Sequence, residues 1–127
     1  MNTNFPYTIS GTIIAGTRQA TDLGYPTANL DVQPDILLTH GVYAGFASCD
    51  PLFTNSPCVI FYGKPYSLGD DAGVRFEIHV INAVLPDLYG KKMTAELTSF
   101  IRPNKKFNHI SELRCAIQHD IASYVAN

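Results

Sequence analysis

The sequence is poor in charge and has no long apolar run. Only 16% of its 127 residues are charged, and the formal net charge is −2. No cluster of basic residues stands out, which argues against nucleic acid or an anionic membrane as the main partner. No stretch is long enough to span a bilayer, and no signal peptide opens the chain. With 46% hydrophobic residues, these absences predict one compact globular domain over residues 1–127.

Cysteine is also scarce. Cys49, Cys58 and Cys115 are odd in number and lack the spacing of a metal site. We therefore predict that all three are small buried hydrophobic residues in a reducing compartment. Together with the missing signal peptide, this predicts a cytoplasmic protein.

The common nucleotide-binding motifs are missing too. Neither G-x-x-x-x-G-K-[ST] nor G-x-G-x-x-G occurs. The loop from Gly16 to Gly24 follows a predicted strand, and such a loop can wrap a phosphate with its N–H groups. A plain surface connection explains the same residues. Any phosphate site must therefore be local, built from backbone N–H groups, a metal and a few side chains.

Periodicity predicts five or six strands and one helix. The strand signal is clearest over 74–81, where Phe76, Ile78 and Val80 alternate with mostly polar residues. The other predicted strands are 7–15, 30–32, 41–49, 58–62 and 91–101, with a turn over 50–57 and a loop over 63–73. Helical spacing over 110–125 follows, with Asn108 or Ser111 as its cap. This order predicts an all-β fold with one C-terminal helix, an antiparallel closed or nearly closed barrel whose helix covers a flank or an open end.

The segment Gly24-Tyr25-Pro26-Thr27-Ala28-Asn29 is too polar and too broken to predict a core element. Thr27 and Asn29 lie two residues apart, so in an extended backbone their side chains point to the same side. A hydroxyl and an amide oxygen side by side suit Mg²⁺, which takes few protein ligands plus phosphates and water. A plain Pro-containing turn with a polar face is the competing interpretation.

Glu77 is the carboxylate best placed for chemistry. It lies on the polar face of the predicted strand 74–81, with Arg75 and His79 on the same side. A carboxylate on a rigid strand is held in place, as a general base must be. The competing interpretation is a cross-strand ion pair with Lys or Arg. The Asp70–Asp71 pair could attract a metal, but Asp is common in turns.

In order and spacing, these stretches resemble the riboflavin kinase family across almost the whole chain. The matching motifs are Gly11-x-x-x-x-Gly16, L-G-Y-P-T-A-N-L at 23–30, G-V-Y-A at 41–44, F-E-I-H at 76–79, D-L-Y-G at 87–90, I-R-P at 101–103, Phe107, and the helix with Leu113, Ile117 and Asp120. The resemblance implies a six-stranded antiparallel Greek-key barrel with a helix. It also implies transfer of the ATP γ-phosphate to the 5′-hydroxyl of riboflavin, which gives FMN and ADP.

The resemblance implies roles for individual residues. Glu77 would take the proton from the ribityl hydroxyl, and Thr27 and Asn29 would meet Mg²⁺ (or another divalent metal) and the nucleotide phosphates. Other ATP contacts would come from Gly16, Thr21, Val80, Asn82 and Tyr89. The flavin side would comprise Arg102, Lys105 and Ser111. We expect a monomer with no nucleic-acid or membrane partner.

Three places depart from the family pattern. Thr21 stands where a basic residue is common, which Arg18 could offset, and Asn104 follows Arg-Pro where Glu is common. The segment 62–66 matches a Gly-x-x-Pro strand end imperfectly. Thr21 and Asn104 leave open a flavin-binding barrel that does not catalyse, such as a carrier or sensor. A second alternative is a barrel that only mediates protein contacts and binds no flavin. No nucleotidyltransferase domain is present, so the chain is expected to be either a stand-alone kinase or a fragment.

Overall fold

A computed structural model describes residues 5–14, 27–32, 36, 38–64, 73–83, 85–86, 88–107 and 109–126. Within these ranges the chain forms β1 (Tyr7–Ile14), β2 (Ala28–Asp31), β3 (Gly41–Cys49), β4 (Phe53–Gly63), β5 (Arg75–Val80), β6 (Lys92–Pro103) and α1 (Ile110–Ala126). The predicted all-β fold with a C-terminal helix is confirmed. None of the helical residues described forms a helix that is long and apolar enough to cross a membrane.

The six strands close into an antiparallel barrel in the order β1-β2-β5-β4-β3-β6. Closure comes from β6, which pairs back onto β1 from Tyr7 opposite Leu97 to Thr12 opposite Lys92. The pairs β2–β5 and β3–β6 join strands that are not consecutive in the chain, which is the Greek-key connectivity expected. A closed barrel pairs the strand edges that an open sheet would leave free.

Alternate side chains fill the barrel. In β5, Phe76, Ile78 and Val80 are buried, and the residues between them are only half-buried. This is the period-two pattern of a strand with one face on the core. The outward face of β5 therefore carries Arg75, Glu77 and His79.

The helix α1 packs against β4 and β6, and the ring of Tyr124 meets Phe46 of β3 edge-on with centroids 6.4 Å apart. At its start, the backbone N–H of His109 donates to a carboxylate oxygen of Glu112 over 3.1 Å. This is the returning half of a capping box. The predicted cap Ser111 instead lies within the first turn, and Asn108 lies outside the described residues.

Two of the strand starts predicted from the sequence are wrong by more than one residue. β2 begins at Ala28 rather than at residue 30, and both Ala28 and Asn29 are buried. The end of the polar segment is therefore part of a buried strand, because β5 supplies its pairing partners. β4 begins at Phe53 and contains Pro57, where a turn is predicted. Pro57 lacks only a donor, and its carbonyl still accepts the Ile81 N–H over 2.9 Å.

The cysteine prediction is confirmed for Cys49 and Cys58, which are buried, and wrong for Cys115, which is exposed on α1. Burial raises the pKa of the Cys58 thiol to about 12. This thiol therefore stays protonated and behaves as a small apolar side chain. Cys115 is exposed because it lies on the side of α1 that borders an open cavity.

Gly45 tests how closely β3 and β6 must approach. A Cβ added at Gly45 would overlap the backbone carbonyl oxygen of Glu96 on β6. We expect Gly45→Ala to lower the free energy of unfolding in urea by about 1–3 kcal/mol, because backbone atoms cannot rotate away from the added methyl. Gly73→Ala is the control, since no described atom lies within 4 Å of its added Cβ. Equal losses in the two variants would contradict this account.

Candidate active site

The pairing of β2 with β5 brings the predicted reactive residues together. Asn29 lies directly opposite Glu77, next to the pair formed by Ala28 and Ile78. Side chains of directly opposed residues share one face of a sheet, so Asn29 and Glu77 meet on the outside of the barrel. Thr27 precedes β2, and its hydroxyl donates to Oε1 of Glu77 over 3.5 Å, a long hydrogen bond.

Asn29 has an unusual environment for an amide. The residue is 6% exposed, and its Oδ1 has no hydrogen-bond partner among the described residues. Buried polar atoms are nearly always paired, so this oxygen is suited to a ligand from outside the chain. An amide oxygen beside a hydroxyl and a carboxylate suits a hard cation such as Mg²⁺.

The protein groups alone do not complete a metal site here. In the described ranges, no three His, Cys, Asp or Glu side chains gather closely enough to hold a metal ion. Mg²⁺ commonly takes one or two protein ligands and draws the rest from phosphates and water. The residues present therefore fit a metal that arrives with a phosphorylated substrate.

Burial raises the pKa of the Glu77 carboxyl, while the charge of Arg75 and the hydrogen bond from Thr27 lower it. Desolvation is the largest of these effects, so Glu77 holds a proton more readily than a carboxylate in water. In the described part of the chain, Arg102 and Asp120 form an ion pair, and Glu77 forms none. The alternative of a cross-strand ion pair at Glu77 is therefore not found there.

The other predicted ATP residues are not part of the group formed by Thr27, Asn29 and Glu77, or they lie outside the described ranges. Val80 is a core residue with 3% exposure, so any contact with a nucleotide would involve its backbone. Asn82 follows β5 with a φ of 55°, and Tyr89 is 54% exposed. The positions outside the described residues are Gly16, Arg18, Thr21, Asp70 and Asp71.

A cavity of about 470 Å³ lies between the end of β6 and α1. Its lining includes all three predicted flavin residues, Arg102, Lys105 and Ser111. The volume falls in the range of small-molecule sites. Further lining comes from Glu112, Cys115, Ala116 and His119.

Arg102 is held in place by Asp120 of α1. Its Nε lies 2.8 Å from Oδ1 and its Nη2 lies 2.9 Å from Oδ2, a bidentate pair. Asp120 is 2% exposed, so this contact fastens α1 to the end of β6 and fixes one wall of the cavity. Asp120 belongs to the family pattern, but its ion pair with Arg102 is not predicted from the sequence. The available signal was its position beside the apolar residues Ile117 and Ile121.

The loop after β6 is tied to the end of β4. Asn104 donates from Nδ2 to the carbonyl oxygen of Lys64 over 3.0 Å and accepts the Lys105 N–H at Oδ1 over 3.0 Å. A carboxylate could not make the first of these bonds, because it has no N–H. The departure at Asn104 therefore has a structural role. Beside it, the Phe107 ring has Arg102 and Lys105 within 5.9 and 5.8 Å of its centroid.

A family model described as flavokinase, riboflavin kinase, matches residues 3–126. The chain belongs to the riboflavin kinase family. One relative is human riboflavin kinase, 30% identical over 123 residues that cover 93% of this chain and 78% of that protein. Another is the trifunctional protein RibF/MnmA of Mycoplasmoides gallisepticum, 35% identical over 118 residues that cover 91% of this chain and 17% of that protein.

A solved riboflavin kinase structure from Trypanosoma brucei matches with a TM-score of 0.70 and 18% identity, over 95% of this chain and 76% of that one. At this identity the match supports the barrel fold alone. The multifunctional bacterial relatives in the riboflavin kinase family are longer. This chain spans 17% to 40% of their length.

The burial of Glu77 predicts a measurable effect on stability. Because folding raises the pKa of this carboxyl, its ionised form destabilises the folded state above that pKa, and the cost is absent where the group is protonated in both states. In metal-free buffer at neutral pH, we expect Glu77→Gln to raise the Tm by a few degrees. The gain should shrink toward zero as the pH falls to about 4, near the ordinary pKa of Glu.

Glu96→Gln is the matched control, because Glu96 is exposed on β6. It should leave the Tm unchanged across the same pH range. A Tm gain at Glu77→Gln that does not depend on pH, or a loss at neutral pH, would show that burial does not penalise the charged carboxylate.

Proposed function

We propose that the protein is an ATP-dependent riboflavin kinase that forms FMN and ADP, with residues 1–127 acting as one cytoplasmic, monomeric domain. Membership of the family supports riboflavin kinase activity in general. The observation that carries the proposal is the meeting of Thr27, Asn29 and Glu77 across β2 and β5. Phosphoryl transfer depends mainly on positioning and charge neutralisation, and Thr27 and Asn29 offer oxygen ligands beside Glu77 as a fixed base.

Glu77 is the proposed general base. It accepts the proton of the riboflavin 5′-hydroxyl as that oxygen forms its bond to the γ-phosphorus, while the bond from phosphorus to the oxygen of the departing ADP breaks. Two features support this role. The strand β5 fixes the carboxylate, and burial raises its pKa toward the working pH, where a base is most effective.

Thr27 and Asn29 are the proposed residues for the metal and the nucleotide phosphates. The hydroxyl of Thr27 and the Oδ1 of Asn29, which has no partner among the described residues, would hold Mg²⁺. When bound, the ion neutralises charge on the phosphates of ATP. Further proposed ATP contacts are Gly16, Thr21, Asn82, Tyr89 and the backbone of Val80.

The cavity beside α1 is the proposed site for the flavin ring. Arg102, Lys105 and Ser111 line the cavity and supply hydrogen-bond donors, and the Phe107 ring lies beside Arg102 and Lys105. The Arg102–Asp120 pair keeps this wall rigid, which lowers the cost of ordering the site when a ligand binds. The second candidate, a flavin-binding barrel without catalysis, would use this cavity alone.

The test is an assay of the purified chain with riboflavin, ATP and Mg²⁺, with FMN measured by chromatography. We expect FMN formation that requires both ATP and the metal. If riboflavin binds but no FMN forms under any metal, the kinase proposal is wrong and the flavin-binding barrel is favoured. If riboflavin does not bind at all, both candidates fail.

Glu77→Gln tests the base assignment in the same assay. We expect turnover to fall by about 10²- to 10⁴-fold, the usual loss when a general base is removed. Riboflavin affinity, measured by fluorescence quenching, should stay close to that of the unchanged chain. Glu96→Gln is again the control and should keep full turnover. A Glu77→Gln enzyme with near-full turnover would remove Glu77 from the mechanism.

A further inference from the structure

Arg75 is a charged residue that the proposed roles leave unused. It is the first residue of β5, two before Glu77 and on the same outward face, because the core residue Phe76 lies between them. Its Nε is buried and has no hydrogen-bond partner among the described residues. A guanidinium keeps its charge in proteins and offers only donors. A buried donor of this kind calls for an acceptor, and a bound ligand can supply one.

The neighbours of Arg75 show which part of the site it faces. It pairs with Gly63 at the end of β4. A Cβ on Gly63 would lie 2.8 Å from Nδ2 of Asn104, in the loop that leads from β6 to the cavity. Arg75 therefore lies at the end of the barrel that carries the cavity, about 6.6 Å along β5 from Glu77, given the rise of a strand.

The nucleotide side lies in the opposite direction. Thr27 precedes Ala28, and Ala28 pairs with Ile78, so Thr27 lies beyond Glu77 toward the end of β5. Asn82 follows that end of the strand. Their spatial order along this surface is thus Asn82 first, then Thr27 with Glu77, then Arg75, and last the loop at the cavity.

A substrate that extends from the cavity toward Glu77 along this face would pass Arg75. In the proposed reaction, that part of the substrate is the ribityl chain of riboflavin, which carries hydroxyl oxygens that can accept hydrogen bonds. We propose that Arg75 donates to the ribityl hydroxyls and thereby selects flavins that carry a polyhydroxylated chain. This inference rests on the flavin site of the proposed function. A site built to bond a hydroxyl discriminates strongly against an analogue that lacks it.

The experiment compares riboflavin with lumiflavin, which has the same ring system and a methyl group in place of the ribityl chain. Affinities are measured by flavin fluorescence quenching, without ATP. We expect Arg75→Gln to weaken riboflavin binding by about 10-fold, as for loss of a hydrogen bond from a charged group, and to leave lumiflavin binding unchanged. Arg75→Lys should give an intermediate loss, because it keeps the charge but lacks a donor at the Nε position.

Lys92→Gln is the matched control. It removes the same charge from the opposite end of β6 and should change neither affinity. Equal weakening of both flavins by Arg75→Gln would assign Arg75 to the fold of the cavity and overturn the proposal. No weakening of either would also overturn it. FMN affinity is measured in the same way. If Arg75→Gln weakens the binding of FMN alone, Arg75 contacts the phosphate and the proposal is overturned.

Two readouts keep the outcomes separate. Thermal unfolding and retained lumiflavin binding show whether each variant is folded, and Arg75→Lys provides a second substitution if Arg75→Gln is not. The comparison depends on binding only. A wild-type chain that binds both flavins but forms no FMN would defeat the proposed reaction and leave the result on Arg75 intact.

Discussion

The antiparallel pairing of β2 with β5 underlies both the barrel and the candidate site. β2 has only four residues, yet it is the strand that joins β1 to β5 in the barrel. The same short ladder sets Asn29 opposite Glu77. A shift of one residue in this register would turn one of the two side chains to the other face, since side chains alternate along a strand. The continuity of the barrel and the geometry of the candidate site therefore depend on the same strand pairing.

The outward face of this ladder contains groups that do not favour stability. Glu77 is a carboxylate whose pKa burial raises, and Oδ1 of Asn29 and Nε of Arg75 are buried without partners among the described residues. Such groups tend to gather where a protein binds or reacts. The fully packed interior, with side chains such as Tyr43 and Ile60 wholly buried, offsets this cost. At the cavity, by contrast, the charged groups are paired, because Arg102 donates two hydrogen bonds to the Asp120 carboxylate.

The strand β5 and the helix α1 could be predicted from the sequence, because the spacing of apolar residues along a strand or a helix is a local pattern. The alternation over 74–81 gave β5 and the outward position of Glu77, and helical spacing gave α1. The start of β2 could not be found this way, since Ala28 and Asn29 are buried by a partner strand distant in the chain. Pro57 predicted a turn because proline has no N–H to donate. The sequence does not show that its carbonyl oxygen is the group that accepts a hydrogen bond here, from Ile81. The pairing of Asp120 with Arg102 and the exposure of Cys115 likewise depend on where α1 lies.

A crystal structure of the protein with ADP, Mg²⁺ and FMN would locate both substrates relative to β2 and β5. We expect the flavin ring in the cavity lined by Arg102, Lys105 and Ser111, and the phosphate ester oxygen of FMN beside the Glu77 carboxylate. The diphosphate should lie on the side of Thr27 and Asn29. An FMN whose phosphate lies away from the pairing of β2 with β5 would contradict the account, whatever the position of the ring.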